Sequence, residues 1–430
     1  MANFTQYTDV HRKLWPSQRV YDECIKGSPV LGRLRRETDL GEDTRYIALQ
    51  HVRPQGRSRA FATAQARAAN GAQFKKFGIK TVDDYAAATW PGKMLRADKI
   101  DPAFIVDVFE RESKGAMAQI ARSLNINLWG TGSGARGRIA SSGLVESGGN
   151  TTITLSDPAD AKNFEIGMYI NAAATATGAT RDSGAAYEVI AVDLIAGTVQ
   201  VSGTAQTTSS WSEASDPSDY LFAQGDANNN ATLDGVPGPM LAGIPGWIPT
   251  TAPTSGDDWF GVDRSAHVQY LAGWRFTAAA LSTTTIRATV LKSFSQMSRN
   301  GLYDAENRPE TLVMNGEDYG DFLDELDGKY DVTERKAMDA ELYYKGVRIQ
   351  TPIGDVEVFQ DFQCPRGRAY ALNLNSWTLG SIGEAPFIVE EDGLRILRSG
   401  SADSYEARFA YHANLWCDAP VLNGVITLPT

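Results

Sequence analysis

Residues that could carry out chemistry are few in this chain of 430 residues, and they lie far apart along it. The three cysteines (Cys24, Cys364 and Cys417) have neither the even number of a disulfide framework nor the short spacing of a zinc knuckle. His412 and Cys417 are five residues apart on a predicted strand, so their side chains face opposite sides and cannot share one ion. The sequence therefore predicts no metal site.

Catalytic groups are equally scattered. The sequence Gly130-Thr-Gly-Ser133-Gly differs by one position from the G-x-S-x-G turn that exposes a nucleophilic serine. Adjacent carboxylates at Asp257 and Asp258, and at residues 390–392, could in principle hydrolyse a glycosidic bond, but adjacent acids in loops are typical of a solvated surface. We predict no catalytic residues and no cofactor site.

Two segments imitate ligand-binding loops. The glycine-rich residues 130–137 (GTGSGARG) follow a predicted helix instead of a strand and lack the G-K-[ST] of a phosphate loop. They are predicted to end the helix and act as a hinge. The segment that starts at Asp226 resembles a calcium loop, but Ala231 replaces the required glycine and Pro237 the required glutamate. Neither segment predicts a bound ligand.

Composition narrows the class of protein. An aromatic content of 10% is typical of a folded chain, and the length predicts two or three compact units. No run of about 18 apolar residues and no signal-peptide core occurs, so we expect a soluble protein that is made in the cytosol.

The net charge of −11 is unevenly distributed. Residues 1–100 contain 18 basic and 10 acidic side chains, whereas the other 330 residues contain 23 basic and 42 acidic ones. The contrast is sharpest over residues 44–82, which contain eight Lys and Arg and no acid. Such an arm could contact nucleic acid, dock on an acidic protein surface, or be a solvated loop, and a pI near 5.0 argues against a dedicated nucleic-acid binder.

The periodicity of apolar residues predicts the elements that carry this charge. Residues 44–52 and 73–85 alternate as strands, and about twenty polar, basic residues join them into a long hairpin. Asp101 and Pro102 begin a helix of about 28 residues with one apolar stripe. Residues 143–230 are rich in Thr, Ser, Ala and Gly and predict a small β-barrel or sandwich inserted into a host domain.

The remaining chain is predicted to mix helices and strands. An apolar Gly/Pro-rich loop at 233–249 should pack on a surface, and helices are predicted at 284–299 and 317–326. Strands are predicted at 311–315, 347–351, 356–359, 369–374, 394–399 and 405–417.

This order of elements resembles the major capsid proteins of tailed bacteriophages, which share the Hong Kong 97-type fold. The residues that carry the resemblance are the hairpin 44–85, the long helix 101–128, and the terminal segment from RILR (395–398) through YEARFAY (405–411) to Asp418-Ala-Pro420. The resemblance implies an α+β fold. The implied parts are an N-arm (1–40), an extended E-loop hairpin (41–97), a P-domain spine helix (98–142), an all-β insertion domain (143–230), an A-domain interleaved with P-domain strands (231–390) and P-domain return strands (391–430).

The resemblance also implies a function. The chain would be a structural protein, not an enzyme, that assembles with itself into hexamers and pentamers, forming an icosahedral shell around double-stranded DNA without reading its sequence. It would be made in the host bacterial cytoplasm, contact no membrane, and end in the virion head beside a portal protein. Inter-subunit contacts are expected from the E-loop, at Arg53, Arg57, Arg59, Arg67, Lys75 and Lys76.

Two departures refine the expectation. Only about forty residues precede the hairpin, so we expect a separate scaffolding protein or none. The hairpin tip carries arginines and its lysines are confined to the return strand, which argues against covalent crosslinking through a loop lysine. The sequence leaves open whether a decoration protein binds. The alternative is a β-rich, virion-associated or secreted protein that binds or hydrolyses carbohydrate.

Overall fold

The computed structural model describes residues 28–41, 44–69, 71–91, 102–212, 218–227, 237–299, 307–326, 347–390, 397–398 and 403–429, with residues 102–111 described by their backbone alone. The predicted N-arm up to residue 27 and most of the calcium-like segment lie outside these ranges. The fold of the described residues is α+β, as predicted.

Eight α-helices lie in the described part of the chain. They are α1 (Phe61–Ala68), α2 (Pro102–Leu128), α3 (Ala205–Ser209), α4 (Ile244–Trp247), α5 (Val268–Ala272), α6 (Ala278–Leu281), α7 (Ile286–Met297) and α8 (Gly316–Leu326).

The strands group into two large sheets, a barrel and two hairpins. They are β1 (Arg35–Glu37), β2 (Arg45–Val52), β3 (Gln73–Ile79), β4 (Val82–Pro91), β5 (Ala135–Ser147), β6 (Asn150–Leu155), β7 (Tyr169–Ala173), β8 (Tyr187–Asp193), β9 (Thr198–Ser202), β10 (Tyr220–Ala223), β11 (Asp258–Trp259), β12 (Val262–Asp263), β13 (Trp274–Thr277), β14 (Thr311–Met314), β15 (Val347–Thr351), β16 (Gly354–Gln360), β17 (Arg368–Leu372), β18 (Trp377–Ser381), β19 (Phe387–Ile388), β20 (Leu397–Arg398), β21 (Ser404–Cys417) and β22 (Gly424–Thr427).

Strands β2 and β3 form an antiparallel pair, which we call the hairpin together with α1 between them. The predicted second strand, 73–85, is in fact two strands, because the chain turns at Lys80 and Thr81 and β4 leaves to pair with β21. The predicted polar loop contains α1. Its sequence FATAQARA has no apolar stripe, but alanine, glutamine and arginine have high intrinsic helix propensity.

Helix α2 is the longest element, and it ends at Leu128 as predicted. Met117, Ile120, Leu124 and Leu128 recur every three or four residues and are buried. They pack against sheet A, in which β1, β18, β21 and β19 follow one another and β4 and β20 also pair with β21. The helix and this sheet form the core from which the hairpin extends.

Strands β5 to β10 close into a barrel in the order β10-β5-β6-β9-β8-β7. Its core includes Ile153, Val199 and Val201, which are fully buried. Asp219, which directly precedes β10, is fully buried. It accepts hydrogen bonds at 2.8 and 3.0 Å from the guanidinium of Arg181, which lies between β7 and β8. The barrel begins at Ala135, ahead of the predicted boundary at 143, since the Gly- and Ser-rich sequence of β5 has no strand-like alternation.

Sheet B has the order β13-β22-β17-β14-β16-β15 and mixes parallel with antiparallel pairs. Helices α7 and α8 cover it with Val290, Phe294 and Phe322, each at most 1% exposed. Both helices were predicted within two residues of their ends, because each carries an apolar stripe against a polar face.

The Gly/Pro-rich loop was predicted to pack on a surface, and its described residues, 237–249, pack on the end of α2. A Cβ at Gly243 would lie 2.3 Å from the carbonyl oxygens of both Asn127 and Leu128, so only glycine fits. The amide of Met240 donates to the oxygen of Gly132 at 3.0 Å. The predicted free hinge at residues 130–137 is therefore wrong: this turn ends the helix but is packed against the loop.

Candidate subunit interface

The two faces of the hairpin differ, because successive side chains in a strand point to opposite sides. Ile47, Leu49 and Phe77 lie on an inner face that contacts the body of the same chain. Tyr46, Phe74 and the residues that alternate with the inner ones form an outer face. One face is thus occupied by the chain itself, and the other is available.

Aromatic contacts anchor the inner face. The Phe77 ring lies 5.5 Å from that of Trp247, and Trp247 stacks on Phe260 at the same centroid distance. The amide of Gly78 also donates to the carbonyl oxygen of Phe260 at 3.4 Å. These contacts hold the base of the hairpin in one position on the body.

A histidine pair adds to this anchor. The rings of His51 and His267 are 4.5 Å apart, centroid to centroid. Burial lowers the pKa of His51, and the charges of His267 and Lys75 lower it further. The inner face therefore favours a neutral His51.

The outer face combines exposed aromatic rings with cations. Tyr46 is 60% exposed and Phe74 is 56% exposed. The Nζ atom of Lys76 lies 3.4 Å from the centroid of the Tyr46 ring, a cation–π contact. At the tip, Phe61 of α1 is 80% exposed, and no residue of α1 is buried.

The six residues predicted to make inter-subunit contacts divide between these surfaces. Arg53, Arg57, Arg59 and Arg67 are exposed at the tip, and no carboxylate of the described residues pairs with any of them. Lys76 lies on the outer face, whereas Lys75 lies half-buried on the inner face. Lys75 therefore lies on the face that the body covers, whereas the other five predicted contact residues are exposed.

Sequence reasoning missed the three exposed aromatic residues of the hairpin, Tyr46, Phe61 and Phe74. Their strand alternation was visible for Tyr46 and Phe74, but only the structure shows which face the body covers. Isolated helices as short as α1 are unstable in water, and no residue of α1 is buried by its own chain.

Acidic surface occurs on the body. Glu317, Asp321 and Asp324 are exposed on α8. The segment from Glu146 to Asp226, which forms most of the barrel, contains eleven acids and two bases. The hairpin is therefore basic, whereas these parts of the body are acidic.

Other polar groups of the described residues lie apart from one another. A cavity of about 200 Å³ lies where α2, the barrel and the loop after β16 meet, and Asp160, Asn163 and Arg366 are among its lining residues. Burial, with the charge of Asp157, raises the pKa of Asp160 to about 7. Asp257 caps its own turn by accepting from the Thr254 amide and hydroxyl at 3.2 and 2.9 Å.

The described ranges contain neither a metal-binding cluster nor a membrane-spanning helix. Within the described ranges, no group of three His, Cys, Asp or Glu side chains could hold a metal ion. His412 contacts Asp83, whereas Cys417 lies beside Ser376, so the two side chains have different neighbours. No helix in the described part of the chain is long and apolar enough to cross a membrane.

Comparison with solved structures finds capsid proteins. The chain is similar to the capsid asymmetric unit of cyanophage A-1(L), with 12% identity, a TM-score of 0.49, and coverage of 94% of this chain and 93% of that chain. It is also similar to the procapsid of satellite phage P4 that includes the size determination (Sid) protein (10% identity, TM-score 0.37, coverage 99% and 98%). A third similar structure is the capsid of an empty GTA particle (9% identity, TM-score 0.41, coverage 94% and 97%). No protein-family model and no curated protein matches the chain.

Proposed function

We propose that this chain is a major capsid protein of a tailed bacteriophage, and that copies of it assemble through the outer face of the hairpin. The observation that carries the proposal is the division of the hairpin: its inner face is anchored on the chain's own aromatic cluster, while its outer face presents Tyr46, Phe74 and Lys76 to a partner. A projecting arm with a fixed base suits a subunit that must reach its neighbour in one direction.

The partner of the hairpin is a second copy of the chain. The hairpin contains no acid, so an acidic surface is its natural complement, and exposed aromatic rings supply contact area in the centre of such an interface. Because each copy offers both surfaces, the contact is head-to-tail, and head-to-tail contacts form a ring when the rotation from one copy to the next closes. Rings of six and five copies would build the shell around double-stranded DNA.

The remaining parts take corresponding roles. Helix α2 and sheet A form the rigid P-domain, sheet B with α7 and α8 forms the A-domain, and the barrel is an insertion domain. No catalytic step is assigned to the chain. The virion head is its destination, after assembly in the host cytoplasm with a portal protein and a separate scaffolding protein.

Charge reversal at the tip tests the proposal. Arg57→Glu, Arg59→Glu and Arg67→Glu together should leave a folded monomer that forms no shells, because three carboxylates would then replace the exposed cations and repel the acidic surface of the neighbour. The readouts are circular dichroism for folding and negative-stain imaging for shells. The unaltered protein should form closed shells or rings, whereas a discrete monomer or trimer with sugar affinity would favour the carbohydrate-binding alternative.

A matched triple variant provides the control. Arg35→Glu, Arg299→Glu and Arg398→Glu change the net charge equally at exposed positions outside the hairpin. This control should still assemble. Equal assembly of both triple variants, or equal failure, would contradict a specific role for the hairpin.

A further inference from the structure

The histidine pair joins the hairpin to the body at one point. His51 belongs to β2, and His267 directly precedes α5, a helix that contacts β2. The centroids of the two rings are 4.5 Å apart. The register of the hairpin shifts between Gln50 and Val52, so His51 has no residue of β3 directly opposite it. The pair is therefore a contact between the projecting arm and the part of the chain on which the arm rests.

The surroundings of His51 favour a neutral ring. His51 is 8% exposed, and its Nδ1 atom is buried with no hydrogen-bond partner among the described residues. A protonated imidazole carries an N–H group on both nitrogens, so protonation would leave a buried donor unpaired. This cost disappears when the hairpin leaves the body and water reaches the ring.

The charges that act most on His51 are cationic. Burial lowers the pKa of His51 most, followed by the charges of His267 and of Lys75, which lies on the inner face of β3. The Gln73 side chain and the Leu49 backbone raise the same pKa more weakly. Within the described ranges, no ion pair involves either histidine or Lys75.

The charged groups of the neighbouring body segment are engaged elsewhere. Hydrogen bonds from Ser265 lower the pKa of Asp263, and the charge of Lys75 lowers it further. The Asp263 Oδ1 atom accepts from the amide of Ser265 at 2.7 Å. The guanidinium of Arg264 donates to the carbonyl oxygen of Trp247 at 2.9 Å. Asp263 therefore stabilises its own turn, and Arg264 adds a further cation to this part of the body.

We propose that acid releases the base of the hairpin from the body, with His51 and His267 as the switch. The docked hairpin disfavours a proton on His51, whereas the released hairpin exposes this ring to water, where histidine takes up a proton at about pH 6.5. Acid therefore shifts the equilibrium toward the released hairpin. The switch belongs to the single chain, and only its consequence for shells rests on the proposed function.

The aromatic anchor limits the size of the effect. Phe77 is fully buried beside Trp247, and this contact does not titrate. Acid should therefore raise the population of the released hairpin several-fold without unfolding the chain. The body should respond in the other direction, because burial raises the pKa of Asp160 to about 7 and the proton it binds stabilises the native state in acid.

Hydrogen exchange of the full chain at about pH 8 and about pH 5 tests the switch. Protection is expressed relative to the intrinsic exchange rate at each pH. The amide of Gly78, which donates to the carbonyl oxygen of Phe260, reports the docked base. Protection of the hairpin should fall several-fold in acid, while that of α7 should not fall. Unchanged protection of the hairpin, or an equal loss in both segments, would overturn the proposal.

Substitution of single histidines identifies the titrating group. His51→Gln should abolish the acid response, because glutamine does not titrate, and His267→Gln should reduce it, because burial and Lys75 still act on His51. His412→Gln is the matched control, since His412 is half-buried, contacts Asp83 and lies outside the pair. This control should keep the full response. A full response in both variants of the pair, or its loss in the control, would overturn the proposal.

Shell assembly provides a separate readout. A released hairpin no longer points in one direction, so shell yield should fall in acid for the unaltered protein and less for His51→Gln. An equal fall in the two proteins would overturn the link between the switch and assembly. If the chain forms no shells at any pH, the proposed function fails, whereas the exchange measurements on the free chain still decide the switch.

Discussion

The ring of Phe77, in the return strand of the hairpin, lies 5.5 Å from the indole of Trp247, and both side chains are fully buried. Three residues away along the same strand, Phe74 is 56% exposed. Strand β3 thus carries one aromatic side chain, Phe77, that stabilises the subunit and another, Phe74, that remains exposed on its surface.

Substituting each ring in turn should separate folding from assembly. Phe77→Ala should lower the free energy of unfolding by about 3–5 kcal/mol, because it removes a fully buried ring and leaves a cavity. Phe74→Ala should change stability by less than about 0.5 kcal/mol, as is usual for surface positions, yet should reduce shell yield. Urea unfolding and negative-stain imaging measure the two effects, and the proposal fails if Phe74→Ala assembles normally.

The stability of the protein should depend on pH through Asp160, which lies where the barrel meets the body. Its pKa of about 7 in the folded protein exceeds the ordinary value of 3.8, because burial disfavours the charged form. The native state therefore holds a proton that the unfolded state releases, and stability should fall as pH rises from about 4 to 7. The loss is complete above pH 7.

Asp160→Asn should remove that cost. The difference in unfolding free energy between Asp160→Asn and the unaltered protein should therefore grow from pH 5 to pH 8. At about 1.36 kcal/mol for each pKa unit, the increase should be on the order of 2–3 kcal/mol. Urea unfolding at the two pH values measures it. The charges that face this group include Asp157, Lys162 and Arg368. An equal effect at both pH values would contradict a buried, titrating Asp160.

Two glycines near α2 should respond in opposite directions to alanine. Gly115 is exposed on the helix with no atom within 4 Å of an added Cβ, so Gly115→Ala should stabilise by about 1 kcal/mol through helix propensity. At Gly243 the added Cβ would lie 2.3 Å from two backbone oxygens, so Gly243→Ala should cost about 1–3 kcal/mol. Thermal unfolding of the pair provides the measurement, and a destabilising Gly115→Ala would be evidence against the exposed position.

The recurrence of apolar residues along the sequence was sufficient to predict the most regular helices and strands. Helices α2, α7 and α8 and strands β15 and β21 were expected close to their observed ends, since an apolar stripe or strict alternation extends through each of them. The basic, acid-free character of the hairpin was also evident from composition. These features depend on residues that are neighbours in sequence.

Elements defined by distant partners were not predicted. Strands β1, β18 and β22 are short, and they exist because each pairs with a strand far away along the chain. Helix α1 lacks an apolar stripe, so its pattern indicated a loop. The barrel closes through β10, only four residues long, which carries no signal of its own.

The amino-acid sequence by itself determined which side chains the hairpin has, and hence its charge. Only the tertiary structure decided which of them a partner can reach. The body covers the face of Phe77 and Lys75 and leaves Tyr46, Phe74 and Lys76 exposed. The physical reason is that alternation assigns residues to two faces, whereas the choice of the buried face depends on Trp247 and Phe260, which lie more than 150 residues further along the chain.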